Sequence, residues 1–160
     1  MPGTVYDFGA VLAREGFQAW IVGGAIRNLA LGREPSDWDA ATDARPEDVM
    51  RAFRRTVPTG VKHGTVTVLW RGLQIETTTF RVEEGYADGR RPDRVSFTPD
   101  IREDLKRRDF TMNAMALNLS TRDFLDPHDG LGDLERRLVR AIGDPLERFS
   151  EDGLRPLRAV

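Results

Sequence analysis

The chain has 160 residues, 39% of them apolar and 31% charged, with a formal net charge of −2, which suits one compact globular domain and not a disordered tail. A simple nucleic-acid-binding module is usually strongly basic, so near-neutrality argues against one. The absence of cysteine excludes disulfides, thiolate zinc sites and a cysteine nucleophile.

A cysteine-free chain fits a reducing cytosol. Residues 1–16 have no long apolar run and include Asp7, so they read as neither a signal peptide nor a membrane span. The expectation is a cytoplasmic protein with no membrane partner. Apolar residues over 5–12 recur at helical spacing, and Gly16 is a stop. Residues 17–22 read as a buried strand broken by Gly23-Gly24, and 25–31 as a helix ending near Gly32. Residues 37–42 read as a short strand and 46–53 as a helix opened by Pro46. Two β-branched runs, 65–70 and 73–80, are joined by Arg71-Gly72, a hairpin signal. The polar stretch 82–99 holds Gly85, Gly89, Pro92 and Pro99 and predicts a long mobile loop. A basic helical segment over 101–108 and the run 110–119 follow; 124–127 read as a strand end, 134–138 and 145–149 as short helices. A last helical segment begins at Glu151 and reaches Val160 with no stop signal, which predicts a piece of a longer protein.

Four clusters could carry chemistry. In the first, Gly23-Gly24 lies between a strand and a helix, where glycines let the backbone approach phosphate and the helix start offers free N–H groups. Arg27, one turn in, can add a charge-assisted contact. Such a pair equally fits a plain tight turn. Shortly after it come Asp37 and Asp39, which share one face if extended and form a hard-oxygen pair suited to Mg²⁺. In a two-metal scheme one ion activates an attacking hydroxyl and the other holds a triphosphate. A solvated turn after Pro35-Ser36 is the bland alternative. Glu76 is a candidate third carboxylate, with a solvent-facing strand residue or an arginine partner as its alternative.

The remaining clusters lie beyond the polar stretch. The run 107–116 holds Arg107, Arg108, Asp109 and Asn113: arginines can clamp phosphates, while Asp and Asn can hydrogen-bond ribose hydroxyls. Its alternative is a helix surface with ion pairs. In the last segment Asp152, Arg155 and Arg158 are spaced three apart and share a broad face if helical. A carboxylate accepts from an exocyclic amino group while an arginine beside it donates to the neighbouring ring nitrogen, a pairing that suits cytosine and adenine and rejects guanine and uracil. The alternative is a charged helix start. His63 and His128 sit at turn signals and read as surface or structural histidines.

Taken in order, these segments resemble the bacterial CCA-adding enzymes, class II tRNA nucleotidyltransferases and bacterial poly(A) polymerases, over nearly the whole chain from Ile21 to Arg158. The stretch from Glu84 to Asp93 resembles that family's flexible loop. The resemblance implies an α/β (α+β) polymerase-β-like nucleotidyltransferase head, a small mixed sheet flanked by helices, over 1–140, and the start of a truncated helical neck over 141–160. It implies that Asp37 and Asp39 bind catalytic Mg²⁺ and that Gly23, Gly24, Arg27 and Arg108 meet the incoming nucleotide. Asp109 and Asn113 would lie near its ribose, and Asp152, Arg155 and Arg158 would read its base. The implied partners are CTP, ATP and the 3′ end of tRNA, with CCA addition, A-addition alone and poly(A) synthesis as the narrower options; the long stretch argues against CC addition alone. An inactive nucleotide-binding fragment is the alternative of a different class. Gly153 stands where the family usually has proline, and Pro156 falls inside the expected helix, which predicts a helix that starts late or is distorted.

Overall fold

The computed structural model describes residues 1–84 and 94–159, with Glu84 and Arg94 by their backbone alone. The predicted loop over 82–99 therefore falls partly outside the described residues. Its two flanks are strands: β6 (Arg81–Glu84) and β7 (Arg94–Phe97) pair antiparallel, with Arg81 opposite Phe97. Gly85, Gly89, Pro92 and Pro99 concealed that ribbon because they are turn formers spread along the stretch.

Seven further strands form one mixed sheet: β1 (Ala19–Val22), β2 (Trp38–Thr42), β3 (Thr56–Gly60), β4 (Thr65–Trp70), β5 (Leu73–Thr79), β8 (Ala116–Asn118) and β9 (Phe124–Leu125). Their order is β3-β4-β5-β2-β1-β8-β9, antiparallel throughout except where β2 runs parallel to β5. The β4–β5 turn has Arg71 at φ 47° and Gly72 at φ 87°, the doubly positive pair that matches strand twist in a two-residue hairpin. Strand β3 lacks a sequence signal because Pro58 and Gly60 lie in it. It is an edge strand paired on one side with a register shift between Val57 and Gly60, which is where a sheet tolerates proline.

Alternation along the strands separates the two faces. One face carries Ile21, Ala40, Val66, Val68 and Ile75, buried with Val5, Phe8 and Leu12 of α1 (Gly3–Arg14), Ala25 and Ile26 of α2 (Gly24–Ala30) and Val49 of α3 (Pro46–Ala52). Gly9 lets α1 close on this layer: a Cβ there would lie 2.4 Å from Leu119 Cβ. The other face divides in two. Trp20, Val22, Ala41 and Ala116 are covered by Ile101 and Leu105 of α4 (Ile101–Lys106), while further along the sheet Val57, Thr59, Gln74 and Glu76 are exposed.

Three helical expectations shift. Helix α4 begins where the Asp100 side chain accepts from Arg102 N at 2.8 Å. The helix expected over 134–138 is α5 (Gly130–Glu135), set earlier because Asp126 accepts from Gly130 N and Leu131 N. Asp133 anchors it: Arg140, Arg136 and Thr111 all bond its carboxylate, which they close off from solvent just beneath the surface and hold well below the usual carboxylate pKa. Beyond it, α6 (Pro145–Glu151) is capped by Asp144, and Phe149 packs against Phe110 at 6.4 Å. The expected helix from Glu151 onward is absent. Asp152 is extended at φ −144°, ψ 106°, and the chain turns into a 3₁₀ segment, Pro156–Ala159. Proline's missing N–H and fixed φ break the α-helix here.

Candidate active site

A cleft of about 550 Å³ opens on the second face at the boundary between its covered and exposed halves. Strand β1 ends at Val22, directly opposite Asp39 of β2, and Asp39 in turn pairs with Glu76 of β5. These pairings set both carboxylates on the cleft floor. The chain leaves β1 through Gly23 at φ 67°, ψ −136°, a backbone state that a side chain strains. A Cβ at Gly23 would stand 3.2 Å from Arg108 Nη1 and 3.7 Å from Asp39 Oδ2, so the bare turn lets a cation and a carboxylate close on the backbone. A Cβ at Gly24 would lie 3.6 Å from Arg27 Nη2.

Arg27 reaches across the cleft, where its Nη1 donates to Asn113 Oδ1 at 2.5 Å. Asn113 Nδ2 donates onward to Asp109 Oδ1 at 3.1 Å, an oxygen that also accepts from Phe110 N. Asp109 is buried, yet its Oδ2 accepts no hydrogen bond among the described residues; it faces Arg158 Nε at 3.1 Å as an ion pair without hydrogen-bond alignment. Arg108 Nε is likewise without a partner among the described residues. Buried polar atoms left in this state cost stability and point to a ligand or water that completes them.

Asp39 is reached by solvent through the open cleft, but the surrounding walls displace much of its hydration. Burial raises its pKa; Arg108 and Arg158 pull it down and Asp37 pushes it up. Glu76 is raised by burial and by the charge of Asp39, against the pull of Arg81. Asp37 lies just before β2 and is exposed, with Ser36 Oγ donating to it at 2.8 Å. It does not line the cleft, although its charge is felt at Asp39.

Among the described residues no three His, Asp or Glu side chains are gathered into a ready metal cage. The donors nonetheless fit one hard cation. Two carboxylates that repel each other gain from a shared positive charge, and Mg²⁺ commonly takes one or two carboxylates and completes its shell with water and substrate phosphates.

Asp152, Arg155 and Arg158 all line the cleft, though not from an α-helix. Bonds from Arg155 N to Asp152 O and from Arg158 N to Arg155 O keep a period of three, so spacing that would share a helix face still shares a wall. Within that wall Asp152 Oδ1 accepts from Leu154 N, and buried Arg155 pairs with Glu151 at 2.7 Å.

Arg81 and Glu83 were not anticipated. They line the cleft with Arg107 of the expected cluster, and all three are joined to buried Asp104 in an ion-pair network. Glu83 pairs with Arg81 at 2.8 Å and Arg107 at 3.0 Å, and Asp104 with Arg107 at 3.0 Å and Arg108 at 3.3 Å. Burial would raise the Asp104 pKa, but Arg107 and Arg108 outweigh it and hold the carboxyl below its usual range. Arg81 also donates to His63 O, tying the ribbon to the β3–β4 corner. The three- and four-residue spacing of Asp104 to Arg107 and Arg108 on a helix was a readable signal; the reach of Glu83 across 24 residues was not. Neither histidine lines the cleft.

The family described as poly(A) polymerase head domain matches residues 19–140. Over 145 residues, 91% of the chain, the sequence is 52% identical to a CCA-adding enzyme of Lactobacillus johnsonii, of which it covers 36%. The fold superposes on the Bacillus stearothermophilus CCA-adding enzyme in complex with CTP with a TM-score of 0.87 and 41% identity, over 99% of this chain and 38% of that one. It superposes on the Thermotoga maritima CCA-adding enzyme complexed with tRNA with a TM-score of 0.74 and 26% identity, over 99% and 37%. The chain thus spans a little over a third of these relatives. Among the described residues no helix is long and apolar enough to cross a membrane.

Proposed function

The chain belongs to the poly(A) polymerase head-domain family, and from that membership we propose that it is the cytoplasmic catalytic head of an enzyme that transfers CMP and AMP from CTP and ATP to the 3′ end of tRNA. Residues 1–140 are its head and 141–160 open a helical neck. The observation that carries the reading is the cleft itself, where Asp39 and Glu76 lie beside a glycine turn flanked by Arg27 and Arg108. The names of the relatives favour CCA addition over A-addition alone or poly(A) synthesis.

In the reaction a 3′-hydroxyl oxygen bonds to the α-phosphorus of the nucleotide and pyrophosphate leaves on the opposite side. Asp37 and Asp39 are the residues that would hold Mg²⁺, which lowers the pKa of the hydroxyl and neutralises phosphate charge when bound. Gly23 and Gly24 admit the triphosphate to the backbone, and Arg27 and Arg108 balance its charge. The proton affinity of Glu76, raised by burial and by Asp39, suits it to receive the hydroxyl proton. Asp109 Oδ2, which accepts no hydrogen bond among the described residues, is suited to accept from a ribose hydroxyl, with Asn113 fixing its carboxylate. Asp152 and Arg158 face the base, and Arg155 braces their turn through Glu151 and Arg148 O.

The test is nucleotide addition to tRNAs lacking their last one, two or three residues. CCA addition predicts CMP on the two shorter acceptors and AMP on the one ending in CC. AMP on that acceptor alone indicates A-addition, and extension of an unrelated poly(A) primer indicates a poly(A) polymerase. Because the chain spans about a third of its relatives, a nucleotide-binding piece is the competing reading; calorimetric binding of CTP and ATP with no turnover would select it.

A further inference from the structure

Arg148 of α6 does not line the cleft, yet its guanidinium joins three segments that lead into it. Nε donates to Ile142 O at 2.9 Å, and Nη2 donates to Lys106 O at 3.0 Å across 42 residues of chain. Nη1 pairs with Glu151 Oε2 at 3.1 Å. The side chain is 23% exposed, so these bonds face limited competition from water.

Each acceptor belongs to a different wall. Lys106 is the last residue of α4, and Arg107 and Arg108 of the cleft follow it directly. A carbonyl at a helix end has no partner inside its own helix and favours a cation. Ile142 N–H donates to the carbonyl of Asp109 at 3.1 Å, so the bond from Arg148 also steadies the segment that carries Asp109. Glu151 accepts from Arg155 Nη1 at 2.7 Å, and the same Nη1 donates to Arg148 O at 3.2 Å. Through these two bonds Arg148 holds the turn that bears Asp152 and Arg158. Apolar packing does little of this work. No residue of α6 is fully buried, and Phe149 makes its ring contact with Phe110 at 6.4 Å. A seven-residue helix has little stability of its own, so the polar bonds must give it its seat.

We propose that Arg148 is a positioning residue for base selection, which sets the wall of Asp152 and Arg158 against the phosphate-side arginine Arg108. A guanidinium is a rigid planar fork, so acceptors bound to it keep fixed relative places, whereas an ammonium is a single point of charge. A site that reads a base by hydrogen bonds rejects the wrong one because buried polar groups are then left unpaired. That rejection depends on where the wall stands relative to a triphosphate already anchored at Gly23, Arg27 and Arg108. The inference rests on the nucleotidyl-transfer reading and names the side chain outside the cleft on which its base preference depends.

Calorimetry of CTP, UTP and inorganic triphosphate with the 160-residue protein, Arg148→Gln and Arg148→Lys tests it. The unsubstituted protein is expected to prefer CTP to UTP. In Arg148→Gln that preference should fall about tenfold, the worth of one well-placed hydrogen bond, while affinity for inorganic triphosphate stays the same. Arg148→Lys keeps the charge without the fork and should lose most of the preference as well. An unchanged preference in either variant overturns the proposal. So does an equal loss of affinity for all three ligands, which is what a purely structural role predicts. Where Arg148→Gln fails to unfold cooperatively in urea, Arg148→Lys decides alone. If the unsubstituted protein binds none of the three ligands, the transfer reading falls; if it binds them without preferring CTP, the base-facing role of the wall falls. Either result takes this inference with it. If the unsubstituted protein prefers CTP and both variants do so equally, the role of Arg148 alone is wrong.

Discussion

Replacing Asp104 with asparagine removes one negative charge from the centre of the ion network behind the cleft. The side chain is 1% exposed. Its Oδ1 accepts from Arg81 N at 3.2 Å and Arg107 Nε at 3.0 Å, and its Oδ2 from Arg108 Nη2 at 3.3 Å. Asparagine keeps one acceptor oxygen but must either turn an NH₂ group against a guanidinium or abandon the Arg81 amide. Breaking a buried ion pair from one side costs about 3–5 kcal/mol, and the surviving acceptor favours the lower end, about 3 kcal/mol. For a chain of this size that is a fall in Tm of about 6–12 °C at neutral pH. The pH dependence has a definite sign. The folded pKa of Asp104 lies below its ordinary 3.8, so its contribution is complete above that pH and is lost as the pH falls through the folded value. The gap between the two proteins should therefore narrow below pH 3.8. Equal melting temperatures at neutral pH, or a gap that widens on acidification, would refute the reasoning.

Gly23→Ala forces a side chain into positive φ and toward Arg108. It should cost about 1–2 kcal/mol of stability and weaken CTP binding, whereas Gly72→Ala, also at positive φ but with nothing within 4 Å of its Cβ, should carry the strain cost with CTP affinity intact. Equal loss of affinity in both would show that Gly23 has no special relation to the cleft. Asn113→Ala removes the bridge between Arg27 and Asp109; calorimetry should show CTP binding weakened about tenfold, the equivalent of roughly 1.4 kcal/mol, and unchanged affinity would remove Asn113 from the site. Gly9→Ala drives a methyl to 2.4 Å from Leu119 Cβ and should destabilise by about 1–3 kcal/mol in urea unfolding. A variant as stable as the parent would mean that α1 does not close on the sheet as described.

Much of this architecture was legible because local signals agreed with tertiary ones. Val5, Phe8 and Leu12 lie on one helical stripe, and that stripe is what α1 buries. The doubly positive turn at Arg71-Gly72 sets the β4–β5 hairpin, whose register then brings Glu76 opposite Thr67 and beside Asp39. What escaped the sequence depends on edges and distant partners. Residues 56–60 went unassigned because Pro58 and Gly60 weaken the strand pattern and nothing in the sequence marks β3 as an edge. Glu83 looked like one charge in a polar stretch because Arg107, which it pairs with, is 24 residues away. Asp152, Arg155 and Arg158 show a partial success: their spacing of three was informative, but Pro156 converts the expected α-helix into 3₁₀ turns that keep the same wall by another route.

The most direct test of the central claim is incorporation of labelled CTP and ATP into tRNA lacking CCA, by the unsubstituted protein and by its Asp37→Ala and Asp39→Ala variants, with CTP binding measured alongside. The account predicts incorporation by the unsubstituted protein and its abolition in both variants, while Arg27 and Arg108 still hold the nucleotide. Incorporation at the unsubstituted rate by Asp39→Ala would contradict it, because the carboxylate at the centre of the cleft would then have no part in the transfer.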